Sequence, residues 1–153
     1  MKRARAKASV QRTTVRNLQR KVPVNVVDLE KFARKALELC LRVACKKKTD
    51  LMQLPQISVL IVSDLKIASL HQQFMNESGS TDVITFQHGE IFISAETARR
   101  NARRFGSTVA RELCLYVVHG LLHLHGFDDR DEASARKMQI VQRKILAEAS
   151  RLK

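Results

Sequence analysis

The sequence predicts an α+β fold, one domain in which a small mixed sheet of about four strands is packed by about five helices. Two observations lead there. A chain of 153 residues with 44% apolar side chains can bury one sizeable core. Short β-branched runs also interleave with longer segments at helical spacing, without the strict strand–helix–strand repeat of a parallel fold. Residues 1–12, MKRARAKASVQR, have almost nothing to bury and read as a disordered basic arm, leaving 13–153 as the folded domain. Residues 13–19 are partly alternating, as an edge strand would be, and Pro23 closes them. Asp28 can open a helix to about Cys45, with Leu29, Phe32, Ala33, Ala36, Leu37, Cys40 and Leu41 on one face. Lys46, Lys47 and Lys48 would then complement the dipole of its last turn. After Pro55, residues 57–62 (ISVLIV) form a buried strand. Ser63 and Asp64 cap a helix through about Met75, and residues 76–80 are a loop. Residues 83–86 (VITF) and 90–93 (EIFI) are two short strands joined by a tight turn. Helices follow over about 95–104, 107–124 and 131 to the C-terminus, and the helix of 107–124 carries the chemistry.

Charge is unevenly placed. The net charge is +13, and residues 1–21 hold eight basic side chains and no acid, so the leader is strongly basic and the body only mildly so. Polyanionic partners are expected, with RNA, DNA and anionic lipid all open at this stage. No apolar run approaches the roughly 20 residues a bilayer span needs, and no secretory signal is visible, so a soluble, cytoplasmic protein without membrane association is expected. An organellar transit peptide is disfavoured because the leader is too poor in apolar residues to form an amphipathic helix. Cys40, Cys45 and Cys114 are odd in number, lack CxxC spacing and lie in apolar helical stretches, which suits buried free thiols in a reducing compartment.

The stretch VVHGLLHLHGFDD, residues 117–129, is the informative one. His119 and His123 are four apart on a helix, which sets both imidazoles on one face about one turn apart. Gly126 can end that helix in a left-handed conformation and let Asp129 return to the same face. Burying two polar rings in an apolar helix without compensation is costly, which favours a metal over chance placement. Three ligands, His119, His123 and Asp129, leave the fourth tetrahedral position of a zinc ion open for catalysis. Zincin proteases share the HxxxH spacing but place a glutamate after the first His as general base. Here that residue is Gly120, so peptide hydrolysis by that route is disfavoured.

These residues resemble the YbeY endoribonuclease and rRNA maturation factor family, whose motif reads HGxLHLxGYDH. His119, Gly120, Leu122, His123, Leu124, Gly126 and Asp128 match it, with Phe127 in place of Tyr. Residues 80–86, STDVITF, are similar to the family's STDVLSF, and residues 89–94, GEIFIS, to its GDIxIS. The resemblance implies a mixed-sheet α+β fold, one zinc ion, and single-strand-specific RNA cleavage in rRNA maturation and ribosome quality control, with rRNA and a ribosomal protein as partners. It also exposes two departures. The family's third ligand is a histidine where this chain has Asp129, which lowers the formal charge of the site and predicts a more alkaline activity optimum. Met75 stands where the family usually has an arginine that helps hold RNA phosphate, and a thioether cannot do so. Arg99, Arg103 and Arg104 are candidate RNA-binding residues that could compensate.

Other polar residues are placed outside the chemistry. His125 is expected at the surface, with a proton-donor role as the alternative. His71 and His88 lie outside the site, and Thr81 and Asp82 shape a cleft wall. Glu112 is read as either a surface ion pair or a hydrogen-bond partner to a ligand. The nucleophile is left open between water and the substrate's 2′-hydroxyl, and nickel or manganese are alternatives to zinc. With one Tyr, no Trp and six Phe, RNA binding is expected to be mainly electrostatic. The competing function is a non-catalytic, zinc-containing ribosome assembly factor.

Overall fold

The computed structural model describes residues 12–151. Its sheet is nucleated by the most apolar β-branched run, β2 (Gln56–Val62), with β1 (Arg12–Asn17) parallel to it on one side and β4 (Glu90–Ser94) parallel on the other. The short strand β3 (Val83–Thr85) pairs antiparallel with β4, giving the order β1-β2-β4-β3. Strand alternation divides the side chains between two faces. Ile57, Val59, Ile61, Ile91 and Ile93 enter the main core, while Val62 and Ile84 pack with Ile67 and Leu70 of α3 (Asp64–Met75) in a smaller cluster.

The main core is closed by α1 (Val26–Leu41), α5 (Val109–Leu124) and α6 (Glu132–Arg151), and α4 (Ala95–Phe105) packs on α5. Capping explains most of the boundaries. Ser63 Oγ accepts from Lys66 N at 3.1 Å, Thr108 Oγ1 from Arg111 N at 3.1 Å and Asp131 Oδ1 from Ser134 N at 2.8 Å, each satisfying an amide left free in a first turn. Asp64 ties α3 to α4, accepting from Ser94 Oγ at 2.6 Å, Thr97 Oγ1 at 2.8 Å and Arg100 at 2.5 Å.

Several expectations are corrected. The cap of α1 is Asn25, which accepts from Asp28 N at 3.1 Å and donates to the Asp28 carboxylate at 2.9 Å, so Asp28 lies inside the first turn. That helix ends at Leu41, because Arg42 and Val43 donate back to Leu39 and Cys40 in a tightened turn. Lys46, Lys47 and Lys48 therefore lie beyond it in the connection to α2 (Asp50–Gln53), a single turn capped by Thr49 and too short to show a period. With this short turn counted, the described residues form six helices. Strand β1 begins at Arg12, inside the expected arm; the rest of that arm, residues 1–11, lies outside the described residues. All three cysteines are free, but only Cys40 is buried; Cys114 is half-buried and Cys45 exposed. Burial pushes the Cys40 and Cys114 thiols up to about 12, so both are inert at neutral pH. Among the described residues no helix is long and apolar enough to cross a membrane.

Candidate metal centre

The site forms at the C-terminal end of α5, where the helix stops in a turn that its sequence prescribes. His125 caps it; Gly126 N donates to the His123 carbonyl at 3.1 Å and Phe127 N to the Leu122 carbonyl at 3.0 Å, the paired bonds of a Schellman turn. Gly126 sits at φ +90°, a conformation that glycine adopts without strain. The turn sends the chain back along the helix and brings the Asp129 carboxylate to the two imidazoles.

The Nε2 atoms of His119 and His123 lie 3.0 Å apart, and Asp129 Oδ2 is 3.8 Å from the first and 4.0 Å from the second. One ligand atom from each of the three residues falls within 4.8 Å of the others, a grouping that can hold a metal ion. The opposite ring nitrogens are both engaged. His119 Nδ1 donates to Gln142 Oε1 of α6 at 2.8 Å, and His123 Nδ1 donates to the Phe127 carbonyl at 3.0 Å. Both tautomers are thereby set with the Nε2 lone pairs facing inward. Two such lone pairs at 3.0 Å call for a cation or a shared proton between them, so the donor set fits a divalent ion.

Burial, reinforced by the neighbouring His119 ring, holds His123 below the ordinary imidazole range, with Asp129 opposing the shift. The neutral ring is the form a metal needs. A depressed folded value also means that, without metal, unfolding takes up a proton. The contribution of His123 to stability should be complete above an ordinary unfolded-state value of about 6.5 and be lost as pH falls through the lower folded value. Thermal melts of the metal-free protein between pH 8 and 5 check this; a melting temperature that did not fall, or that fell equally in His123→Gln, would contradict it.

Gly120 has a second role that the motif alone did not reveal. A Cβ there would sit 2.7 Å from Ile91 Cγ2 and 3.1 Å from Thr85 Oγ1, so the missing side chain lets α5 lie directly on β3 and β4. Gln142 was also missed, because it lies 23 residues from His119 on another helix and has no local signature.

His125 is not at the surface: it is 1% exposed. Its Nε2 lies 2.9 Å from the Val43 carbonyl, an acceptor only, so that nitrogen carries the proton; Cys45 Sγ is 3.1 Å from the same atom. Its Nδ1 accepts from Thr49 Oγ1 at 2.9 Å. The ring therefore straps the connection between α1 and α2 to the end of α5 and takes no position in the metal cluster. Glu112 is likewise buried, beside Tyr116, rather than paired at the surface. Asp82 accepts from Val83 N at 2.8 Å and Thr81 donates to Asp82, so these two residues shape the start of β3. His71 bridges Gly79 and Glu77 away from the site.

The candidate arginines all lie on α4. Arg103 and Arg104 are exposed in its last turn, close to where α5 begins, whereas α5 rises about 15 Å between Val109 and His119. Arg99 is half-buried and donates to the Lys21 carbonyl at 3.4 Å. Met75 ends α3 and is 44% exposed.

The family model described as Endoribonuclease YbeY matches residues 14–150. The chain belongs to the YbeY family. Among curated relatives, an endoribonuclease YbeY of Bacteroides thetaiotaomicron is 34% identical over 102 residues, covering 62% of this chain and 74% of the relative. One from Frankia alni is 32% identical over 114 residues and covered over 63% of its length, and one from Thermotoga maritima is 35% identical over 99 residues and covered over 66%. The chain thus spans about two thirds of the length of these relatives. A solution structure of a Thermotoga maritima protein shares the fold with a TM-score of 0.62 at 28% identity, over 90% of this chain and 88% of that one. The mixed-sheet α+β architecture expected of a YbeY-type chain is the one observed.

Proposed function

We propose that this YbeY-family chain is a zinc-dependent endoribonuclease that cuts single-stranded RNA in the cytoplasm, acting in rRNA maturation and ribosome quality control. The observation that carries the reading is the cluster of His119, His123 and Asp129, with both Nδ1 atoms pinned so that three ligand atoms converge. His119, His123 and Asp129 would hold one zinc ion. When bound, zinc supplies Lewis acidity toward a phosphate oxygen and lowers the pKa of water toward neutrality. The protein's own part is positional. Gln142 and the Phe127 carbonyl orient the imidazoles, and the exposed Asp129 carboxylate closes the trio from the solvent side. The net charge of +13 supplies a salt-dependent attraction for the RNA backbone, with Arg99, Arg103, Arg104 and the basic residues that precede β1 as contributors.

Chelation should abolish cleavage of a single-stranded RNA, and zinc added back at one equivalent should restore it. In the restored enzyme, Asp129→His should move the pH optimum toward neutral by raising the charge of the site. Cleavage that survives chelation would overturn the reading. A second reading, a ribosome assembly factor that binds rRNA or a ribosomal protein without cutting, is kept by one observation: Met75, in the place of the family's arginine, is exposed, and Arg103 and Arg104 lie in the last turn of α4, close to where α5 begins. Intact RNA bound tightly by a zinc-loaded protein would favour it.

A further inference from the structure

The face of the sheet opposite α5 is only partly covered, and its uncovered corner is aromatic. Phe86 lies at the centre: Phe92 meets it edge-on with centroids 5.7 Å apart, Phe74 meets it edge-on at 5.2 Å, and His88 stacks on it at 5.6 Å and 19°. Phe92 and Phe86 are rooted beside the cluster of Val62, Ile67, Leu70 and Ile84. The rings become more exposed outward, with Phe74 57% exposed and the His88 side chain 65%. His88 is also held by the Glu90 carboxylate, which fixes its ring across the β3–β4 turn. One face of that imidazole rests on Phe86 and the ring is largely open to water.

This corner adjoins the metal trio around one strand. Thr85 points to α5, where its Oγ1 is 3.1 Å from the place a Cβ would occupy on Gly120, the residue that follows His119 in sequence. Phe86 follows it in sequence and points to the opposite face. Adjacent Cα atoms are about 3.8 Å apart, so the ring column starts on the order of 10 Å from the helical turn bearing the imidazoles. The outer edge of β3, which among the described residues pairs only on its β4 side, separates the two. A polymer whose backbone is anionic and whose side groups are flat rings fits both sides of that edge: phosphate toward the metal trio, bases toward the column.

We propose that His88, Phe86 and Phe74 form a stacking platform for the bases of single-stranded RNA lying across the β3 edge. The proposal rests on the RNA-cleaving reading above, and it adds a stacking contribution to binding that the sequence predicts to be mainly electrostatic. Six phenylalanines and one tyrosine are few, but three of the phenylalanines meet here, beside the site where bases would need to be held. Stacking tolerates any base, so the platform favours unpaired strands without selecting sequence, because a duplex keeps its ring faces covered.

The test measures binding of a fluorescent, 2′-deoxy-substituted single-stranded RNA that cannot be cut by internal attack, with metal-chelated full-length protein. His88→Ala and Phe74→Leu lie on the exposed rim, and unchanged thermal melts verify their folds. Each should weaken binding at least about 5-fold, without changing the slope of log Kd against log salt. His88→Tyr, which keeps a flat ring, should restore it. An oligomer with abasic sites should bind the wild type and His88→Ala alike. Equal affinity of wild type and both variants for the intact oligomer, or an equal loss on the abasic one, would overturn the platform, as would unchanged RNA binding accompanied by lost self-association in sedimentation. Failure here with zinc-dependent cleavage intact would leave the nuclease reading standing. Ring-dependent binding without cleavage would instead remove the nuclease reading and keep the platform.

Discussion

If the proposed metal centre is right, His119→Ala is expected to fold, to lose the bound metal and to cut RNA at least about 100-fold more slowly, since loss of even an outer hydrogen-bond partner of a ligand typically costs 10–100-fold. The fold should survive because the side chain is 26% exposed and its hydrogen-bond partner, Gln142, lies on a partly solvated face of α6, where water can replace the imidazole. The remaining pair, His123 and Asp129, are 4.0 Å apart, and two ligands grip a divalent ion far less tightly than three. Metal analysis and cleavage should be measured on proteins purified side by side. Equal cleavage by both would mean that the activity came from a contaminant, and zinc retained at full occupancy would mean that His119 is not a ligand.

The second large effect is structural. Gly120→Ala puts a methyl group 2.7 Å from Ile91 Cγ2 and 3.0 Å from Ile91 Cδ1, against a residue with no exposed surface and hence no room to retreat. Alanine gains about 1 kcal/mol of helix propensity over glycine, but overpacking a core costs about 1–3 kcal/mol, and Thr85 crowds the same methyl from β3. The sheet cannot yield, so α5 must lift. The net cost is about 0–2 kcal/mol, so we expect the melting temperature to fall, by up to about 8 °C at about 2–4 °C per kcal/mol for a chain of this size. Metal affinity should fall with it, because His119 would move relative to Gln142 and His123 relative to Asp129. A rise in melting temperature would show that propensity wins and that the close contact relaxes at little cost.

What could be read in the sequence was what is local. His119, His123 and Asp129 lie within one helical turn and one loop, so their convergence follows from 3.6-residue periodicity and a single left-handed glycine. Strands β2, β3 and β4 announced themselves by β-branched runs, and Ser63 marked the start of α3. The misreadings concern partners distant in sequence. His125 looks like a surface residue until the segment around Val43, Cys45 and Thr49 is seen to supply three polar atoms for it. Glu112 looks solvated, yet it is buried beside Tyr116 one turn along the same helix. Asn25 and Asp28 are both good caps, and only the chain path after Pro23 decides between them. The four-residue α2 carries no period at all.

The strap through His125 bears on the order in which the chain is completed. Thr49 and Cys45 reach this ring across 76 and 80 residues, and Gln142 reaches His119 from 23 residues downstream. During synthesis, then, His125 emerges after its upstream partners, whereas His119 emerges before Gln142 has been made. Contacts of such separation form late and slowly. Metal capture would therefore be a closing event of folding: a chain arrested before α6 has the Phe127 carbonyl to orient His123 but nothing to orient the His119 ring, and a finished site is a sign that α6 has docked.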